Sequence, residues 1–123
     1  HGHDGLWELT VTSNTHVAEL RDGKIKEYEV TPEGLGLKTG KLEEISISSP
    51  EESARIMERI FSGEDKGTAR EIALANAAGA LVVSGQVENL VEGVDLAAKT
   101  IDNGKAAKKL NDLINFTWEN HQT

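Results

Sequence analysis

Two periods divide the chain. From Leu9 to Val30 apolar and polar residues alternate, first Leu9 and Val11 among threonines and then the stretch THVAELRDGKIKEYEV, which is the two-residue period of strands. Asp22-Gly23 lies at the centre of that stretch and suits a type I′ turn, whose positive φ angles match the twist of the flanking strands. The sequence therefore predicts a hairpin with Leu20 facing Ile25, Glu19 facing Lys26 and Val17 facing Tyr28. A bulge is allowed where the alternation slips between Ile25 and Tyr28.

Residues 31 to 48 carry a proline, three glycines and scattered leucines, a long connection with apolar anchors at Leu35, Leu37 and Leu42. At Ser49 the spacing becomes helical. Ser49-Pro50-Glu51-Glu52 offers a hydroxyl N-cap, proline at the first helical position and glutamate at the third; Ile56, Met57, Ile60 and Phe61 share one stripe, and Gly63 supplies the stop. A second helix over about Thr68 to Val83 contains EIALANAAGALVV, apolar on nearly every side, and should be the buried one. Asn76 at its middle is expected to satisfy a backbone group rather than touch a ligand. A third helix begins near Asn89, with Leu90, Val91, Val94, Ala97, Ala98 and Ile101 inward, and ends before Asn103-Gly104. A fourth, about Lys105 to Trp118, places Leu110, Leu113 and Ile114 inward. The fold class is α+β: a strand and hairpin over 9–30, the connection over 31–48, and four helices over 49–119, in one unit of 123 residues.

Charge narrows the partners. Twenty-one acids against 13 bases give a net charge of -8, so the chain as a whole repels nucleic acid and anionic membranes. Aromatic residues make up only 4%, which leaves the core to aliphatic residues and favours close helix packing. The absence of cysteine removes any disulfide or thiolate zinc site and fits a reducing, cytoplasmic setting. No apolar run approaches the roughly 20 residues of a spanning helix.

Chemistry-bearing motifs are scarce. There is no Cys-His pair, no nucleophile elbow and no phosphate-cradling loop; Gly34, Gly36 and Gly40 precede no close helix start and read as loop punctuation. Lys66 and Arg70 could present two cations near a helix start, or could simply be solvated. The opening HGHDGLWE gathers His1, His3, Asp4 and Glu8 within a span that a tight loop could fold around one cation, and oxygen groups of this kind suit Mg²⁺. Solvated acids are the plainer reading. If His1 is a true terminus, its amine, two backbone amides and His3 could instead hold Cu²⁺ or Ni²⁺.

The residues also carry a resemblance. HGHDGLWEL resembles the HG-x-DGLDEL segment of anthranilate phosphoribosyltransferases, and the likeness continues through VAELRDGKIKEY, PEGLGL, SPEESARIMERIFSGEDKG, NAAGALVVSG, EGVDLAAKTIDNGKA and LINFT, in order over nearly the whole chain. It implies the carboxy-terminal part of an α/β catalytic domain. The glycine-rich loop that holds phosphoribosyl pyrophosphate, and the residues that contact anthranilate, would then lie in a missing amino-terminal part of the same enzyme. The implied function is phosphoribosyl transfer to anthranilate in tryptophan biosynthesis, by a family homodimer, with no activity in these residues alone. No catalytic or substrate-binding residue is implied within the chain. Of the adjacent Asp-Glu pair that serves the family's second Mg²⁺, Glu8 matches the glutamate, while Trp7 stands at the aspartate position and offers no metal-binding oxygen. Mg²⁺ binding is therefore expected to be weakened. A non-catalytic assembly module derived from the same fold, with Trp7 at an interface, is the remaining alternative.

Overall fold

In the computed structural model, which describes residues 1–121, a two-stranded antiparallel sheet lies beside four helices, the α+β arrangement expected. Strands β1 (Thr15–Arg21) and β2 (Lys24–Val30) pair with Leu20 opposite Ile25, Glu19 opposite Lys26 and Val17 opposite Tyr28. Both turn residues take positive φ, 51° at Asp22 and 73° at Gly23, as the type I′ turn requires. Pairing runs unbroken from Thr15 opposite Val30 to Arg21 opposite Lys24, so the bulge allowed between Ile25 and Tyr28 is absent. Leu20 and Ile25 are 71% and 73% exposed, so no buried face constrains the alternation at this end and the turn sets the register.

Strand pairing starts at Thr15 rather than Leu9. Residues 9–14 are a bent loop and not a ladder: Val11 and Thr10 are both buried, and the hydroxyls of Thr10 and Thr12 turn to Asp4. The opening residues run beside β1 instead, through an isolated bridge between Gly2 and Thr15.

The helices are α1 (Pro50–Phe61), α2 (Thr68–Val83), α3 (Leu90–Asp102) and α4 (Lys105–Asn120). The hydroxyl of Ser49 accepts from Glu52 N at 3.1 Å, and the side chain of Asn89 accepts from Glu92 N at 3.0 Å, so α1 and α3 begin where their capping residues fall. Glu52 reaches back to Ser48, accepting its N–H at 2.8 Å and its hydroxyl at 2.7 Å. Gly63, at φ 81°, follows the end of α1.

The core forms where α2 meets α3, with Leu74, Ala75 and Ala78 against Val94, Ala97 and Ile101, closed by Ile60, Val11, Leu35 and Leu37. Gly93 lets the two helices approach: a β-carbon there would stand 2.8 Å from both the Cα and the Cβ of Ala78. Several residues expected to face inward do not. Leu42, Met57, Val91, Leu113 and Ile114 are exposed, and α4 buries none of its residues, with Ala106 packed at the core margin and Leu110 half-buried. Their apolar character has no counterpart within the 121 described residues.

Candidate functional site

The first fourteen residues form a loop that is braced from below and open above. Asp4 is its internal anchor: Oδ2 accepts from the hydroxyl of Thr10 at 2.7 Å and from that of Thr12, and Oδ1 accepts from Leu6 N at 3.0 Å. Ser13 Oγ accepts from Asp4 N at 3.1 Å. Burial would push the Asp4 carboxyl up, but the hydrogen bonds from Thr12, Thr10, Leu6 and Ser13 together outweigh it and hold the group below the usual aspartate range.

The loop is fastened to α2 by Asn76. Its Oδ1 accepts from Leu9 N at 3.1 Å, and its Nδ2 donates to Leu9 O at 2.8 Å and to Ile72 O at 3.0 Å. The expectation that Asn76 serves backbone groups is met, twice over on one residue of the loop. Because Leu9 presents one donor and one acceptor to it, the amide can sit only one way round. One turn further along α2, Gly79 leaves room for Leu9: a β-carbon there would lie 3.2 Å from Leu9 Cδ1.

Above this junction lies an open groove of about 750 Å³, floored by Leu9, Gly79 and Val82 and walled by β1. Trp7 and Val83 stand at it 94% and 90% exposed. Its polar wall is a chain of side chains in which the Tyr28 hydroxyl donates to Glu19 at 3.2 Å and Glu19 pairs with Arg21 at 3.0 Å. Burial, reinforced by the charge of Glu19 and the hydrogen bond to it, raises the Tyr28 pKa, with Arg21 opposing. Arg21 also donates to Glu88 O at 3.2 Å and so ties the hairpin to the approach to α3.

Glu8 is exposed on the groove beside Trp7, and its carboxylate has no partner among the described residues. The other members of the opening cluster are committed elsewhere. Asp4 is occupied by hydroxyls, and His3 Nε2 pairs with Glu29 at 2.8 Å. The His1 amine donates to His16 O at 2.9 Å. The described residues include no group of three histidine or acidic side chains able to hold a metal ion. A free carboxylate on a fastened loop fits a Mg²⁺ held by one protein ligand and by phosphate oxygens; it does not fit a cation held by this chain alone. The copper or nickel arrangement is disfavoured by geometry, since Gly2 N already donates to Leu6 O at 2.8 Å and His3 N to Asn14 O at 2.9 Å.

The remaining candidates resolve into structure. Arg70 is buried and its guanidinium binds Asp102 at 2.9 Å, joining the start of α2 to the end of α3, so it does not share a ligand role with Lys66. Gly36, at φ 76°, caps a 3-10 turn at Glu33–Leu35, and Gly40 N donates to Val11 O at 2.9 Å. Gly36 is thus punctuation, as expected, whereas Gly40 marks a close approach, since a β-carbon there would run into the side chain of Thr68 at the start of α2. Gly79 and Gly93 were not singled out as contact points by sequence reasoning; the available signal was a glycine inside a helix, unfavourable unless another backbone or side chain needs the space.

The fold belongs to a known class. The model of the "Glycosyl transferase family, a/b domain" matches residues 1–107, and the chain belongs to that family. Within it, the chain is similar to anthranilate phosphoribosyltransferases: that of Desulfosudis oleivorans is 43% identical over 120 residues, covering 98% of this chain and 35% of the relative. The crystal structure of anthranilate phosphoribosyltransferase from Thermus thermophilus matches with a TM-score of 0.83 at 32% identity, over 92% of this chain and 33% of that one. A serine-to-alanine variant of the Saccharomyces cerevisiae enzyme with Mg bound matches with a TM-score of 0.81 at 29% identity, over 93% of this chain and 33% of that one. The chain spans about a third of the length of the relatives it matches. No helix among the described residues is long and apolar enough to cross a membrane.

Proposed function

We propose that the chain acts as the carboxy-terminal segment of an anthranilate phosphoribosyltransferase, in which it supplies Glu8 as a ligand for Mg²⁺. The reaction joins the amine nitrogen of anthranilate to the anomeric carbon of phosphoribosyl pyrophosphate. The bond from that carbon to pyrophosphate breaks, pyrophosphate leaves with the electron pair, and the nitrogen gives up a proton. When bound, the ion neutralises charge on the departing pyrophosphate. The chain's own contribution is positional: the braced loop holds Glu8 at the groove, ready to orient the cation rather than to react.

The observation that carries this reading is the free Glu8 carboxylate, presented on the groove by a segment 43% identical to an anthranilate phosphoribosyltransferase over 120 residues. Trp7 at the neighbouring position leaves one carboxylate where two would grip more tightly, so Mg²⁺ binding is weakened. The partners are the remainder of the same enzyme, its two substrates and a second enzyme copy, in the cytoplasm. The sequence has no glycine-rich pyrophosphate cradle, so these residues alone do not catalyse transfer.

The test is a hybrid in which this chain replaces the matching third of the Desulfosudis oleivorans relative. The hybrid should form phosphoribosylanthranilate and the pure isolated chain should not. Trp7→Asp in the hybrid should lower the Mg²⁺ concentration giving half-maximal rate by about tenfold. Turnover by the isolated chain, or a folded hybrid whose Mg²⁺ dependence ignores position 7, would overturn the reading.

A further inference from the structure

We propose that Asn76 is the positioning residue for Glu8, acting from inside α2 through the backbone of Leu9. The proposal rests on the reading of Glu8 as a cation ligand and goes beyond it by naming what aims that ligand.

The case is built from which peptide groups are fixed. Leu9 N–H belongs to the peptide joining Glu8 to Leu9, and Asn76 Oδ1 holds it at 3.1 Å. The next peptide is held at both edges, its carbonyl by Asn76 Nδ2 at 2.8 Å and its N–H, that of Thr10, by Thr15 Oγ1 at 3.2 Å. On the other side of the tip, Leu6 N donates to Asp4 Oδ1 at 3.0 Å and Leu6 O accepts from Gly2 N at 2.8 Å. Trp7 and Glu8 are therefore the two residues left between clamped peptides.

Neither oxygen of Glu8 is held by another side chain among the described residues, so the direction of the carboxylate depends on the backbone that carries it. Asn76 is in turn fixed to its own helix by the bond to Ile72 O at 3.0 Å, which makes the clamp an extension of α2 and not a loop contact. Gly79 leaves room beside the clamp: a β-carbon there would lie 3.2 Å from Leu9 Cδ1, the end of a flexible side chain that would have to give by a few tenths of an ångström. Fixing such a tip in advance removes part of the backbone ordering cost that a mobile loop would meet on binding an ion. An amide suits the task better than a charged group, since it supplies one donor and one acceptor and places no competing charge under Glu8.

The experiment uses the hybrid enzyme and measures Mn²⁺ binding in the presence of inorganic pyrophosphate by electron paramagnetic resonance, without turnover. Asn76→Ala should weaken Mn²⁺ binding about tenfold, the scale expected when a group that orients a metal ligand is removed. In a Glu8→Gln background the same change should have no further effect, because the group it positions has lost its charge. Gly79→Ala, which favours the helix and asks only the Leu9 side chain to adjust, should leave affinity unchanged; a tenfold loss there would show that packing under Leu9, and not the Asn76 amide, sets Glu8 and would overturn the proposal. Equal weakening with Glu8 and with Gln at position 8 would overturn the positioning role while leaving the cation reading intact. Unchanged binding in Glu8→Gln alone would overturn both.

Discussion

Replacing Gly93 by alanine tests whether α2 and α3 meet as closely as the core requires. The new β-carbon would stand 2.8 Å from the Cα and Cβ of Ala78 and 3.0 Å from its carbonyl oxygen. Carbon atoms normally rest at about 3.5–4.0 Å, so the helices must part by several tenths of an ångström. Ala78 is fully buried and cannot yield, so the strain spreads to Leu74, Ala75, Val94 and Ala97. Overpacking of this kind costs about 1–3 kcal/mol, against which alanine gains at most about 1 kcal/mol over glycine in a helix interior. Because the clash meets the backbone of Ala78 as well as its side chain, the cost belongs near the upper end of that range, about 2–3 kcal/mol. The expected net loss is about 1–2 kcal/mol, read in urea unfolding followed by far-ultraviolet circular dichroism with the slope unchanged. A second change, Ala78→Gly, removes the β-carbon contact but leaves Ala78's backbone in the way, so the double variant should recover part of the loss. Gly93→Ala as stable as the parent would show that helix propensity outweighs the clash and that the two helices are not in contact there.

Two further outcomes follow from the same packing. Asp4 is held below the usual aspartate range by its hydroxyl and amide donors, so the folded chain binds fewer protons than the unfolded one. The stability this confers is present above the unfolded pKa and is lost as pH falls through the lowered value; Asp4→Asn should therefore be less stable at pH 7 and converge on the parent as the pH falls below that lowered value, as measured by urea midpoints in an acid series. Leu74→Ala, deep in α2, should cost about 2–5 kcal/mol, whereas Leu113→Ala on the exposed face of α4 should change stability by less than about 1 kcal/mol. Equal losses at the two sites would mean that α4 packs inward after all.

Where local chemistry decides an element, the sequence was sufficient. Ser49 and Asn89 start their helices with side-chain caps, Asp22-Gly23 fixes the hairpin register, and α2 runs over the span its apolar pattern marks. Where a distant partner decides, pattern misled. Leu9 and Val11 alternate like a strand, yet Leu9 is held by Asn76, 67 residues away, and Val11 simply enters the core. Leu113 and Ile114 share the helical spacing of buried residues although nothing in the described chain covers them. The site was half legible. Glu8 could be marked by its resemblance to a metal-binding glutamate, but the clamp beneath it needed coordinates, because one asparagine inside a helix looks the same whether it serves its own turn or a loop across the fold.

The central claim is that Glu8 is the cation ligand this segment contributes to a phosphoribosyl transfer site. Its most direct test is a crystal structure of the hybrid enzyme grown with phosphoribosyl pyrophosphate and Mn²⁺, with anomalous scattering locating the ion. A peak at about 2.1 Å from a Glu8 carboxylate oxygen, bridging to the donor's pyrophosphate, is the predicted result. Donor and ion fully bound with Glu8 still turned to solvent would contradict it.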